Sequence, residues 1–305
     1  MSDPPPATLR TPPQKPPKKP FPWVAMTPVL FVGLWSTGFI GAKLGLPYAE
    51  PFTFLLLRFL IVVVLLVGAA QVVRAPWPRT WTEVRHGAIA GLLIHGVYLG
   101  GVFAAIDHGV PAGIAALIVG LQPLLTAIAS GPYLGESISP RQWLGVLIGL
   151  IGVTLVVSEK LSFDMGALTG VGFAVAALLG ITVGTLYQKR HGGGMNLFTG
   201  SAVQFAAAAL FMLIAAVAFE TMKVEWTGEF VFALGWLVVV LSLGAISLLY
   251  LLIRRGAAAK VASLFYLVPP VTAVMAFVLF GETLGPMAIA GMAAAVVGVA
   301  LVTKG

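Results

Sequence analysis

Few side chains in this sequence are equipped to do chemistry, because 59% of them are hydrophobic and only 10% charged. Polar groups inside long apolar runs are therefore the first to weigh. His95 and Tyr98 are spaced i, i+3, which places both on one face of a helix. Of the four histidines, His95 alone lies deep in an apolar run. A neutral imidazole bonded inside a helix bundle accounts for it, and so does a cavity wall that bonds or stacks with a solute. Arg58 lies seven residues beyond Pro51, or roughly 10 Å at the helical rise. It can grip a carboxylate bidentately, or snorkel outward and tie its helix to backbone carbonyls. Trp35, Ser36 and Thr37, Gln122 and Thr126, Ser242 and Tyr250, and Tyr266 are further polar or aromatic positions on other runs. Small hydroxyls in such helices also bond their own backbone. Spread over facing helices, these groups suit an uncharged or zwitterionic solute, and aromatic walls suit a flat apolar side chain.

Proline forms a second group. Pro123 lies inside one apolar run and Pro269-Pro270 inside another. A proline in a helix interior removes a backbone hydrogen bond at a cost of about 3 kcal/mol. Membrane helices tolerate this where neighbours or cavity water take up the freed carbonyls. The prolines are then gating pivots that expose carbonyls, or they are passive curvature.

Other chemistries lack their residues. The chain has no cysteine, so neither disulfides nor thiolate-held metal or redox centres are expected. No second histidine or carboxylate stands at ligand spacing from His95, so neither a metal nor a cofactor is expected. His191-Gly192-Gly193-Gly194 is like the oxyanion loop of esterases, but there is no GxSxG elbow and no HExxH. A flexible connector is the better reading, and an enzyme is not expected. All 11 acidic residues fall in the first residues, in loops or at the ends of apolar runs, which argues against proton coupling through a membrane carboxylate. Glu136 and Glu282 read as charges beside the entries of the helices that begin at Pro140 and Pro286.

The elements that must position these residues are membrane helices. A soluble domain carries roughly 25% charged residues, and 305 residues give room for about ten spans of roughly 20 residues. Apolar runs bounded by Pro, Gly or charge fall at about 23–44, 51–73, 86–107, 112–134, 140–157, 167–188, 196–219, 230–253, 257–280 and 286–303. Residues 1–22 hold nine prolines and four basic residues and read as a disordered cytoplasmic tail rather than a signal peptide. With the N-terminus inside, 14 of the 18 Lys and Arg fall on the inner side and three on the outer, with Arg58 within a span. That excess sets both termini in the cytoplasm. The net charge of +7 is loop charge of this kind, and no nucleic-acid partner is expected.

The sequence also repeats at a shift of 146. Between positions 115 and 156 there are 13 identities in 42 without a gap. Pro123 falls on Pro269, Thr126 on Thr272, Gly135-Glu136 on Gly281-Glu282, Pro140 on Pro286, and Lys43 on Lys189. The unit holds five spans. Five is odd, so the second copy enters the membrane the other way up, and inverted repeats are the architecture of alternating-access carriers. The expected fold is an all-α integral membrane protein, ten transmembrane helices in two inverted five-helix repeats, residues 23–158 and 166–304. Gly145, Gly149 and Gly152 on span five, and Gly291, Ala295 and Gly298 on span ten, allow close helix packing. Packing within a monomer is the expectation.

Five plus five spans, the two Gly-Glu pairs, the proline inside each preceding span, and Pro-initiated, glycine-rich spans five and ten resemble the EamA-type drug/metabolite transporters. Gly33-Leu34-Trp35-Ser36-Thr37-Gly38 and Pro51…Arg58-Phe59 share in the resemblance, which covers about residues 23–303. It implies export of amino acids or related metabolites from a bacterial cytoplasm, through a cavity lined by spans one to four and six to nine. Within the family the chain looks most like the YddG-type aromatic amino-acid exporters. On these terms the expected partners are the lipid bilayer and a small-molecule substrate. The expected substrate-binding residues are Trp35, Ser36, His95, Tyr98, Gln122, Ser242, Tyr250 and Tyr266, with Pro123, Pro269 and Pro270 in gating and Arg58 in a carboxylate-binding or structural role.

Overall fold

The computed structural model describes residues 22–134, 139–160, 165–191, 195–245, 248 and 265–303. Tyr250, Glu136 and the glycines of 192–194 lie outside the described residues, as does residues 1–21. Within the described residues the chain is helical, with one isolated antiparallel bridge between Ala49 and Val224. Helix α1 covers Pro22–Gly45 and α2 Pro51–Val72. Helix α3, Trp81–Gly91, runs through a π-helical stretch, Leu92–Val97, into α4, Tyr98–Asp107. Helices α5, Ala112–Val119, and α6, Gln122–Leu134, follow, then α7, Pro140–Lys160, α8, Met165–His191, and α9, Leu197–Phe219. Helix α10, Gly228–Trp236, passes into a second π-helical stretch, Leu237–Ala245. A 3₁₀ turn, Phe265–Leu267, leads into α11, Val268–Phe280, and α12 is Pro286–Thr303.

Local sequence sets the helix ends. Pro51, Pro140 and Pro286 each open a helix, where the missing N–H would have had no intrahelical partner anyway. Thr80 and Glu83 form a reciprocal capping box at the start of α3. Glu220 closes α9 and also serves α2: its carboxylate accepts from the Phe52 and Thr53 N–H groups, both at 2.7 Å. A negative charge there complements the positive end of the α2 dipole.

Among the described residues, four helices are each long and apolar enough to cross a bilayer: Pro51–Val72, Trp81–Asp107, Leu168–His191 and Leu197–Phe219. Shorter apolar helices, among them Val29–Gly45, Ala112–Thr126 and Gly228–Gly244, accompany them. Val64, Leu210, Ile214, Val217, Val278 and Leu279 are all more than half exposed. Bare aliphatic surface on this scale suits lipid rather than water.

Packing is tightest between α7 and α12 and between α2 and α9, with α4 against α8 and α1 against α10 and α11. The α7–α12 crossing depends on glycine. A Cβ on Gly152 would stand 2.5 Å from the Gly291 carbonyl, and one on Gly298 would stand 2.5 Å from the Gly145 carbonyl. The small-residue stripes therefore face each other within one chain.

The α5–α6 run is interrupted at its middle. It breaks at Gly120–Leu121, and Pro123 is the second residue of α6. Pro269 and Pro270 likewise lie in the first turn of α11. Within each apolar run the regular α-helical pattern is thus interrupted just before the proline. In a first turn the missing N–H breaks no intrahelical bond, so these prolines mark restarts at little cost. The two breaks touch: a Cβ on Gly120 would stand 3.0 Å from Pro269 Cγ.

Candidate functional site

A partly open cavity of about 100 Å³ lies among α1, α2, α4, α8, α9 and the two π-helical stretches. Trp35, Arg58, His95, Tyr98 and Ser242 line it, with Phe39, Phe103, Phe205 and aliphatic side chains completing the wall.

Each polar lining group has a definite support. Trp35 on α1 packs edge-on against Phe265, ring centroids 5.1 Å apart at 85°. His95 lies in the first π-helical stretch and stacks on Phe205 of α9, with centroids 4.0 Å apart and planes at 16°. Phe59 meets the same imidazole edge-on at 6.3 Å. Ser242 lies in the second π-helical stretch, where its hydroxyl donates to the Leu237 carbonyl five residues back at 3.0 Å. The widened turn supplies that i−5 acceptor. Ser242 Oγ in turn accepts from Arg58 Nε at 3.3 Å and Nη2 at 3.0 Å. Arg58 is only 3% exposed, and its Nη1 has no hydrogen-bond partner among the described residues. The guanidinium does not reach the carbonyls at the outer end of its helix. It crosses to the second π-helical stretch.

Ser36 and Gln122 make their contacts away from this lining. Ser36 is fully buried, and its hydroxyl lies 2.8 Å from the Val32 carbonyl and 3.4 Å from that of Val268. It joins α1 to the start of α11 and does not line the cavity. Gln122 donates to Thr185 Oγ1 at 3.0 Å and fastens α6 to α8. Ser36 thus bonds mainly within its own helix and Gln122 to a neighbouring one. Tyr266 is part of the 3₁₀ turn. The Thr126 and Thr272 hydroxyls, three residues beyond Pro123 and Pro269, are buried without a hydrogen-bond partner among the described residues.

Phe205, Phe103 and Phe39 are wall residues that the sequence did not single out. A further cluster it left unmarked lies at the far ends of α3 and α8, where His86 Nδ1 meets the Tyr187 hydroxyl at 2.6 Å and the His86 ring stacks on that of His191 at 4.5 Å. No group of three or more His, Cys, Asp or Glu among the described residues is arranged to hold a metal.

The opposite end of the molecule is tied by acids. Glu50 accepts from the Thr221 N–H and hydroxyl, both at 2.8 Å, and from the Met222 N–H at 3.1 Å. The Tyr48 hydroxyl donates to Glu229, and this bond holds the phenol pKa above its usual value. Lys43, at the end of α1, pairs with Glu282 beyond α11.

Comparison with known proteins gives the same picture at the level of families. A model of the EamA-like transporter family matches residues 23–158 and again 168–304. The uncharacterized transporter YvbV of Bacillus subtilis is 26% identical over 91% of this chain and 90% of its own length. A probable amino-acid metabolite efflux pump of Salmonella typhimurium is 27% identical, covering 86% of this chain and 89% of itself. A probable terminal-alkyne amino-acid exporter of Streptantibioticus cattleyicolor is 29% identical, covering 90% and 92%. A crystal structure of a protein 22% identical in sequence superposes with a TM-score of 0.65 over 92% of this chain and 96% of that one. This last likeness concerns the fold alone.

Proposed function

The chain belongs to the EamA-like transporter family, and from that premise we propose that it exports neutral amino acids, aromatic ones foremost, across the bacterial inner membrane by alternating access. The observation that carries this reading is the cavity, which draws Trp35, Arg58, His95 and Tyr98 from the first half of the chain and Ser242 and Phe205 from the second. Aromatic faces with a few oriented polar groups suit a small zwitterion bearing a flat side chain. Two relatives named as handling amino acids or their metabolites support the solute class.

Two inverted five-helix repeats, about 23–158 and 166–304, supply the two-sided scaffold in this reading. Helix pairing supports it. The contact of α1 with α10 has its counterpart in that of α8 with α3, and α2–α9 and α7–α12 are their own counterparts. The π-helical stretch Leu92–Val97 lands within Leu237–Ala245 at the shift of 146. Charge asymmetry places both termini in the cytoplasm. In this reading the carrier works as a monomer without a cofactor. The sequence has no carboxylate deep in an apolar run, which favours downhill flux or coupling through another group such as His95.

Reconstitution in liposomes with labelled neutral amino acids tests this. A phenylalanine gradient alone drives flux, and Trp35→Ala and Tyr98→Ala lower it several-fold while the protein stays folded. No flux of any neutral amino acid through correctly inserted protein would sink the assignment.

A further inference from the structure

Arg58 is 3% exposed, lines the cavity, and spends only one edge of its fork. Nε and Nη2 both point at Ser242 Oγ. A guanidinium has five N–H donors in a fixed plane. Two go to the serine, so the end-on edge shared by Nη1 and Nη2 keeps a parallel pair of donors, and Nη1 lacks a partner among the described residues. No carboxylate lines the cavity among the described residues. The stretch 246–264 contains no Asp or Glu. A buried charge left unpaired is penalised by several kcal/mol. A residue kept only to brace α2 against the second π-helical stretch would meet no such penalty as a glutamine. The serine hydroxyl satisfies part of the fork without neutralising it, and fixes its plane.

We infer that the Nη1–Nη2 edge of Arg58 is the carboxylate subsite of this carrier, so that the solute supplies the counter-charge the protein lacks. This rests on the exporter reading and sharpens it: the carried species must bear an anionic carboxylate, and its α-amino group is secondary. Ser242 is a positioning residue, since it touches the guanidinium and holds it in register. Two parallel charge-assisted bonds on one planar group discriminate a carboxylate from an amide, which replaces one acceptor oxygen by a donor nitrogen.

The test is binding to the full-length protein in detergent, by calorimetry, with four phenyl probes: L-phenylalanine, 3-phenylpropanoate, L-phenylalaninamide and phenethylamine. The two carboxylates should bind at least tenfold more tightly than the amide and the amine, a difference of about 1.4 kcal/mol. Arg58→Gln should level the four. Ser242→Ala should weaken both carboxylates several-fold and leave the other two unchanged, which tests the fork even if Arg58→Gln does not fold. Equal affinity for acid and amide in the native protein, or an acid preference that survives Arg58→Gln, overturns the subsite. So does the absence of binding by all four probes, and flux of other amino acids would then leave the exporter reading standing. Carboxylate binding that depends on Arg58, without flux of any amino acid, would do the reverse.

Discussion

The imidazole of His95 has one face covered by Phe205 at 4.0 Å, so its edge and remaining face are what the cavity can use. Replacing Phe205 by leucine keeps most of the volume and removes the stack. Aromatic pairs contribute about 0.5–1.5 kcal/mol beyond burial. We expect KM for phenylalanine to rise roughly two- to tenfold on that scale, and KM for threonine to move little, in liposome flux assays. Equal change for both solutes would mean that the ring only fills space. How far such a wall was legible depended on chemical contrast. Trp35, Arg58, His95, Tyr98 and Ser242 stand out because each is polar or amphipathic within an aliphatic run. Phe205, Phe39 and Phe103 do not, because a phenylalanine facing a cavity and one facing the core are the same letter at the same spacing. Ser36 and Gln122 pose the converse difficulty. A hydroxyl or amide bonded to the next helix looks, in sequence, like one offered to a solute.

At the scale of helices, the breaks matter more than the prolines that announce them. Pro123 and Pro269 occupy first turns, so Pro123→Ala and Pro269→Ala should each change stability by under about 1 kcal/mol and slow flux only modestly. Gly120 is the tighter constraint, since a Cβ there already stands 3.0 Å from Pro269 Cγ. Gly120→Leu must push α5 away from α11 and should reduce flux far more than either proline change. If it instead transports normally, the contact between the two breaks is incidental. The α7–α12 crossing carries a separate prediction. Gly152→Leu or Gly298→Leu drives a side chain into backbone at 2.5 Å and should lower thermal stability by about 1–3 kcal/mol or more, read as a lower melting temperature. Since α7 and α12 contribute nothing to the cavity wall, the surviving folded fraction should keep its KM. Proline and glycine spacing made these elements and their pairing readable. The π-helical stretches were not, because any reading by helical period assumes 3.6 residues per turn, and one residue inserted into a turn leaves no mark in composition.

Over the whole molecule, side assignment and closure are separable questions. Single cysteines in this cysteine-free chain settle the first: Lys223→Cys should react with an impermeant reagent on intact cells, and Arg79→Cys should not. Reaction at residue 79 would overturn the charge-based orientation. Closure turns on Lys43 and Glu282, which join the end of α1 to the turn after α11, while Glu282 also lies 3.4 Å from the Ala112 N–H at the start of α5. One carboxylate thus gathers three helices at the end assigned to the outside. The repeat maps Lys43 to Lys189 and Glu282 to Glu136, so each half carries both partners of such a pair, although Glu136 lies outside the described residues. The Lys43 and Glu282 side chains are 31% and 13% exposed, and an ion pair so placed is worth up to about 1 kcal/mol. If it latches the outer side, losing it shifts the balance toward the outward-open state by up to about fivefold. Val102 lines the cavity at 3% exposure, and cysteine there is a near-isosteric reporter. Its rate of reaction with an impermeant reagent from outside should rise by that factor in Lys43→Gln and in Glu282→Gln, and return toward the starting rate when the charges are exchanged as Lys43→Glu with Glu282→Lys. Rates unaffected by either single change would show that the pair staples the fold and takes no part in opening it.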